Sequence, residues 1–197
     1  MYIQITTRCN MTCAHCCFSC TAEGEDMSCE VYAKALDVAG DCISIGGGEP
    51  TLHSHFWEFL LDAVVYADNV WLATNGSRTK DALRLAALAK KKAIGCSLSL
   101  DEYHAPIDPK VVKAFKGIGI DGSIKDTSNH LASVGRAAEN QLDGQDGCGC
   151  PGGVIKPNGD IFVCGCPDSI QIGTVWEPQI EVLEEYEYDC IRGNGYL

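Results

Sequence analysis

The chemistry available to this chain concentrates where its cysteines crowd together. Cys9, Cys13 and Cys16 lie in the run Cys9-Asn10-Met11-Thr12-Cys13-Ala14-His15-Cys16, with Cys17 and Cys20 close behind. Three thiolates on one short loop can hold three irons of a cubane and leave the fourth iron open to a non-protein ligand. Zinc also accepts closely spaced cysteines, and Cys20 or His15 could then supply its fourth ligand. A second group, Cys148, Cys150, Cys164, Cys166 and Cys190, sits near the other end of the chain. Between the two lies Gly46-Gly47-Gly48-Glu49-Pro50, where glycine permits close backbone approach and Glu49 can accept from an ammonium. Taken alone, Glu49 reads as an exposed loop carboxylate. Asp101-Glu102-Tyr103-His104 offers a carboxylate and an imidazole able to contact a hydroxyl or move a proton, against the plainer reading of a solvated turn before Pro106. Cys29, Cys42 and Cys96 fall inside expected elements and read as buried apolar thiols. His53, His55 and His130 show no metal-ligand spacing and read as surface or capping residues.

These groups need elements to position them. Alternation in Tyr2 to Thr6 predicts a strand running directly into the first cysteine loop. A helix over residues 28 to 39 opens with Ser28 as cap and continues through Val31, Ala35, Leu36 and Val38. Strands are expected at Cys42 to Ile45, Val70 to Ala73 and Ile94 to Leu100, with a weaker one at Ile118 to Ile124. Helices are expected at 56 to 64, 79 to 91 and 109 to 116, the first from the spacing of Phe56, Phe59, Leu60, Ala63 and Val64. Such alternation argues for a parallel sheet covered by helices, with functional groups at the carboxyl ends of its strands. Cys9, Glu49, Asn75 and Asp101 each fall just after an expected strand, so one edge of the sheet should collect them. From about Asn140 glycines surround Cys148 and Cys150, and the turn Pro157-Asn158-Gly159-Asp160 between Val154 to Lys156 and Ile161 to Val163 predicts a hairpin leading to Cys164 and Cys166. The expected division is therefore residues 1-140 as a core and 141-197 as a small cysteine-bearing module.

The chain has 197 residues, enough for a substantial core without staples. Its thirteen cysteines are odd in number and mostly closely spaced, and no signal peptide precedes them, so reduced, metal-holding thiols in the cytoplasm are the expectation. Charges interrupt every apolar run before it reaches membrane-spanning length. A formal net charge of -12 opposes tight nonspecific binding to nucleic acid, which rests on neutralising phosphates with Lys and Arg.

The spacing of Cys9, Cys13 and Cys16 resembles that of the radical S-adenosylmethionine (radical SAM) superfamily, and Gly46 to Pro50 is similar to that family's loop for the cofactor's amino group. The resemblance covers roughly residues 1 to 140. It implies an α/β fold of the partial (β/α)6 barrel type, here shortened or open because only about five good strands are evident. It also implies a [4Fe-4S] cluster on Cys9, Cys13 and Cys16, reductive cleavage of S-adenosylmethionine to a 5'-deoxyadenosyl radical, and an electron donor such as flavodoxin or ferredoxin. Cofactor contacts would come from His15, Gly47, Gly48, Glu49, Asn75, Ser99 and Asp101. His15 departs from the family's usual aromatic residue before the third cysteine, though its ring can stack on adenine; Gly119 to Gly122 is similar to a segment that backs the adenine.

Cys148 and Cys150, with Gly159 ahead of Cys164, resemble the opening of SPASM or twitch modules, which carry auxiliary clusters. The segment is too short for two clusters, so a single auxiliary [4Fe-4S] cluster on ligands from Cys148, Cys150, Cys164, Cys166 and Cys190 is expected, with a structural zinc knuckle as the alternative. By analogy the substrate is a peptide or protein. A nucleotide or other small molecule, a glycyl-radical activase and a noncatalytic iron-sulfur or zinc protein are the competing readings. No peptide-binding extension precedes Tyr2, which counts against leader-peptide recognition within the chain.

Overall fold

The computed structural model describes residues 1-128, 131, 133-142, 153-167 and 169-180. Five parallel strands, β1 (Tyr2–Thr6), β2 (Cys42–Gly47), β3 (Asn69–Thr74), β4 (Gly95–Ser99) and β5 (Ile124–Lys125), alternate with four helices, α1 (Cys29–Ala39), α2 (Phe56–Tyr66), α3 (Thr79–Lys90) and α4 (Pro109–Lys116). A short helix, α5 (Arg136–Glu139), follows. The sheet then continues past β1 through β6 (Val154–Ile155), which is parallel to it, and the antiparallel β7 (Asp160–Phe162), β8 (Gln171–Thr174) and β9 (Glu177–Pro178). The full order is β5-β4-β3-β2-β1-β6-β7-β8-β9, which is an open sheet with β5 and β9 at its edges.

Local chemistry accounts for the elements. The Ser28 side chain accepts from the Val31 N–H and starts α1, whose Tyr32, Ala35, Leu36 and Ala39 form one buried stripe. Asp108 caps α4 through the Lys110 N–H and Pro109 occupies the first turn, while Val111 and Phe115, four apart, are both fully buried. Along the strands, Ile3, Ile5, Ile43, Ile45, Leu72 and Leu98 join the helix residues in one core. The alternate positions Tyr2, Gln4 and Thr6 of β1 therefore point to the opposite face, together with their β2 partners Ser44 and Gly46.

The α/β alternation stands as read, with boundaries shifted by a residue or two. The expected strand at 118 to 124 shrinks to Ile124–Lys125, because Gly119 and Gly122 turn the chain at φ +74° and +81°. Strands β8 and β9 went unread, being four and two residues long. Cys96 is buried as expected, but Cys29 and Cys42 are exposed: each is the first residue of its element, outside the packed stripe. His53 is buried and not at the surface, but it does cap a short helical turn, Pro50–Leu52, at its C-terminal end. Its Nδ1 accepts from the His55 N–H at 3.1 Å, which leaves Nε2–H to donate to the Met27 carbonyl at 2.9 Å. Among the described residues no helix is long and apolar enough to cross a membrane.

Candidate functional site

Because β1 to β4 are parallel, their carboxyl ends lie along one edge and deliver Cys9, Glu49, Asn75 and Asp101 to it. The cysteine loop leaves β1 under tight backbone control. The Cys9 N–H donates to the Thr21 carbonyl at 2.7 Å, the Arg8 guanidinium pairs with Asp26 at 2.8 Å, and Arg8 also donates to the Leu52 carbonyl at 2.9 Å. From the other side, Arg136 N–H donates to the Cys16 carbonyl at 2.9 Å, its guanidinium donates to the Cys20 carbonyl, and Asn140 Nδ2 donates to the Ala14 carbonyl at 2.9 Å. A loop held at so many main-chain atoms presents its thiols in a fixed arrangement.

The three glycines before Glu49 are where the backbone must come close. A Cβ on Gly47 would stand 2.2 Å from the Thr6 carbonyl oxygen, and one on Gly48 would stand 2.2 Å from the Arg8 oxygen and 2.9 Å from Cys9 Cβ. Only a residue without a side chain lets the end of β2 lie against the cysteine loop. Glu49 is thereby drawn inside and is fully buried, not an exposed loop carboxylate. Its Oε1 accepts from Thr51 N–H (3.2 Å), Thr51 Oγ1 (2.6 Å) and Thr74 Oγ1 (2.8 Å), and its Oε2 accepts from the Asn75 N–H (2.7 Å). Burial pushes its carboxyl up, and those same donors oppose the shift. Asn75 in turn reaches Cys9 Sγ with Nδ2 at 3.8 Å and Asn10 Oδ1 at 3.1 Å. Cys9, Gly47, Gly48, Glu49 and Asn75 form one contiguous unit.

A second unit centres on Asp101, whose side chain is entirely buried. It accepts from His104 Nδ1 at 2.7 Å, Thr127 Oγ1 at 2.9 Å and the Tyr103 N–H at 3.0 Å. His15 Nε2 lies 3.4 Å from Asp101 Oδ2, its ring packs on Tyr103 at 4.8 Å, and its buried Nδ1 has no partner among the described residues. Burial raises the Asp101 carboxyl, but the His104 and Thr127 bonds outweigh it and hold the group below the ordinary range; burial pushes the His15 imidazolium down. Ser99 is the last residue of β4, two positions before Asp101. The expected site residues thus fall into two clusters joined by the cysteine loop. Reading the sequence missed Thr51, Thr74 and Thr127 as their partners, since a lone threonine carries no spacing signal.

Among the described residues, the one group of three or more ligating side chains close enough to hold a single ion is His15, Asp101 and His104, not any set of cysteines. Cys9, Cys13 and Cys16 are partly buried free thiols, a soft donor set of the kind that an iron-sulfur cluster takes. Burial raises Cys9 and takes Cys13 up to about 11, whereas a hydrogen bond from Cys20 draws Cys16 down to about 5. The second cysteine group is only partly in view: Cys148, Cys150 and Cys190 lie outside the described residues. Cys164 and Cys166 follow β7, with the Cys164 N–H on Ser169 Oγ at 3.0 Å and Cys166 buried. Gly165 between them rests on Phe18 of the first loop, where its Cβ would come within 2.7 Å of the ring.

The family model of the radical SAM superfamily matches residues 3–121. Mycofactocin maturase MftC of Mycolicibacterium smegmatis is 30% identical over 113 residues, 55% of this chain and 29% of that protein. A putative peptide biosynthesis protein, YydG of Bacillus subtilis, is 27% identical across 96% of this chain and 74% of its own length. The chain therefore spans under a third of that MftC. The solved structure of anSMEcpe with bound AdoMet superposes with a TM-score of 0.62 at 15% identity, over 97% of this chain and 81% of that one, a likeness of fold.

Proposed function

This chain belongs to the radical SAM superfamily, and from that premise we propose that it is an enzyme that modifies a peptide or protein by hydrogen abstraction. The carrying observation is the close packing of Gly48 against Arg8 and Cys9, which sets Glu49 and Asn75 beside the three-cysteine loop. A [4Fe-4S] cluster on Cys9, Cys13 and Cys16 would supply the electron that cleaves S-adenosylmethionine to a 5'-deoxyadenosyl radical, the species that takes hydrogen from substrate. Glu49 Oε2, with one donor among the described residues, retains capacity to accept from the cofactor's ammonium, and Gly47 and Gly48 let the backbone approach it. By family likeness Asp101 and Ser99 would contact the ribose, and the His15 ring, whose Nδ1 has no hydrogen-bond partner among the described residues, would stack on the adenine. Cys9, Cys13 and Cys16 thus carry the reaction, while the carboxylates and amides orient the cofactor.

The peptide class of substrate is supported by likeness to a mycofactocin maturase and a peptide biosynthesis protein. Residues 1-140 would house the radical chemistry and 141-197 an auxiliary [4Fe-4S] centre with ligands from Cys148, Cys150, Cys164, Cys166 and Cys190. This is a division of chemistry, since β6 to β8 share the core of β1 and β2. A flavodoxin or ferredoxin in the cytoplasm would deliver the electron.

The test is anaerobic reconstitution with iron and sulfide, reduction with dithionite and addition of S-adenosylmethionine. Formation of 5'-deoxyadenosine, lost when Cys9, Cys13 and Cys16 are replaced by alanine, is the expected result. Failure to form it across suitable reductants would favour an electron carrier or sensor.

A further inference from the structure

The face of the sheet opposite the helices carries two polar groups that the radical chemistry does not use. Gln4, at the middle of β1, is 1% exposed, and among the described residues neither its Nε2 nor its Oε1 has a hydrogen-bond partner. Leaving a buried primary amide unpaired at both ends is costly, so such a residue points to a group that completes it. Its β2 partner is Gly46, whose side-chain space is filled by the Tyr2 ring. On the other flank β1 and β6 are in register at Tyr2–Val154 and Ile3–Ile155, and Gln4 and Lys156 are the residues that follow Ile3 and Ile155 on these neighbouring strands.

Lys156 Nζ lies 5.3 Å above the Phe18 ring, and Phe18 stacks on Tyr2 with centroids 5.7 Å apart. Amide, ammonium and two aromatic rings therefore line one stretch of this face. In a chain with 27 acidic residues, no carboxylate among the described residues forms an ion pair with Lys156. Burial pushes its ammonium down, while the thiols of Cys20, Cys17, Cys164 and Cys166 act in the other direction. A half-buried ammonium together with an amide that offers both N–H and C=O suits a carboxylate next to a peptide group: the ammonium and amide N–H take the anion, and the amide oxygen takes a peptide N–H. The flanking rings add apolar walls.

We propose that Gln4 and Lys156 form a subsite that anchors a carboxylate-bearing peptide substrate. The proposal rests on the reading of the chain as a peptide-modifying enzyme and names the feature of the peptide it holds, either an acidic side chain or a C-terminal carboxylate. Isothermal titration of the anaerobically reconstituted protein tests it with three probes: N-acetylglycine for the terminal carboxylate, Nα-acetylglutamate α-N-methylamide for the side chain, and the neutral N-acetylglycine N-methylamide. At least one acidic probe should bind, with the neutral probe weaker by about tenfold or more, as expected for a hydrogen bond to a charged group. The acidic probe that binds identifies the source of the carboxylate. Lys156→Met and Gln4→Leu should each weaken that probe about tenfold, and Gln4→Glu, which keeps the size of the side chain and adds repulsion, should abolish its binding. Thermal melts verify that each variant is folded. Equal affinity for all three probes, no binding by any, or unchanged affinity in folded variants overturns the assignment. So does a Lys156→Met protein whose cluster potential shifts while probe affinity stays, or one that loses affinity for S-adenosylmethionine in place of the probes. Formation of 5'-deoxyadenosine by the unsubstituted enzyme reports on the radical reading separately, so either idea can fail without the other.

Discussion

Glu49 gathers four hydrogen bonds from Thr51, Thr74 and Asn75 onto one buried carboxylate. Glu49→Gln keeps the volume but turns an acceptor into an NH2 group facing N–H and O–H donors, so the folded protein should lose about 1–3 kcal/mol. Urea denaturation of the metal-free protein measures this; an unchanged midpoint would mean the amide finds new partners. Asp101 gives a pH signature. Its folded pKa lies below the unfolded value because His104 and Thr127 offset the burial that would raise it. Its stabilisation is therefore complete above the ordinary carboxylate value of about 4 and is lost as pH falls through the lower folded value. Asp101→Asn should flatten that acid limb in urea midpoints collected between neutral pH and the acid transition. At this scale the sequence marked the anchors, Cys9, Glu49 and Asp101, by type and position. It did not mark the threonines or the buried Gln4, whose roles depend on contacts with distant strands.

Among the elements, the junction of β2 with the cysteine loop is the most constrained. Gly48→Ala must push a methyl toward the Arg8 carbonyl, a backbone atom 2.2 Å from the Cβ position that cannot rotate aside. The loop and the end of β2 should separate, and iron retained after reconstitution should fall by about four per chain if the cubane is lost, read by iron analysis. Ser28→Ala is the mild contrast: it removes the bond to the Val31 N–H and should cost about 1 kcal/mol of stability with iron content retained. Helices α1 to α4 were legible because apolar spacing, and in α1 and α4 a capping side chain, act within one turn. Strand β5 was overread, since Ile118 to Ile124 looks β-favourable while Gly119 and Gly122 need positive φ.

Across the whole molecule, β6 to β8 are built into the main sheet. Ile155, Ile161, Val163, Ile172 and Val175 are buried in the same core as Ile3 and Tyr32. Each such side chain contributes roughly 1.5–3 kcal/mol on burial, so losing five removes as much as a typical domain has in total, about 5–15 kcal/mol. A chain ending at residue 142 should therefore show no cooperative thermal transition by circular dichroism. A sharp melt in that truncated protein would mean that residues 1-140 fold by themselves.

What the sequence determined alone is what local rules encode. Cysteine spacing, the glycine run before Glu49 and the alternation of apolar residues set the parallel α/β order and the edge where the site gathers. What the tertiary structure decided is which distant pieces meet: β6 beside β1, His15 against Asp101, Phe18 beneath Gly165, and Lys156 above Phe18. Those meetings follow from strand register and the closing of long loops, which depend on the whole core packing at once and leave no periodic trace in the chain.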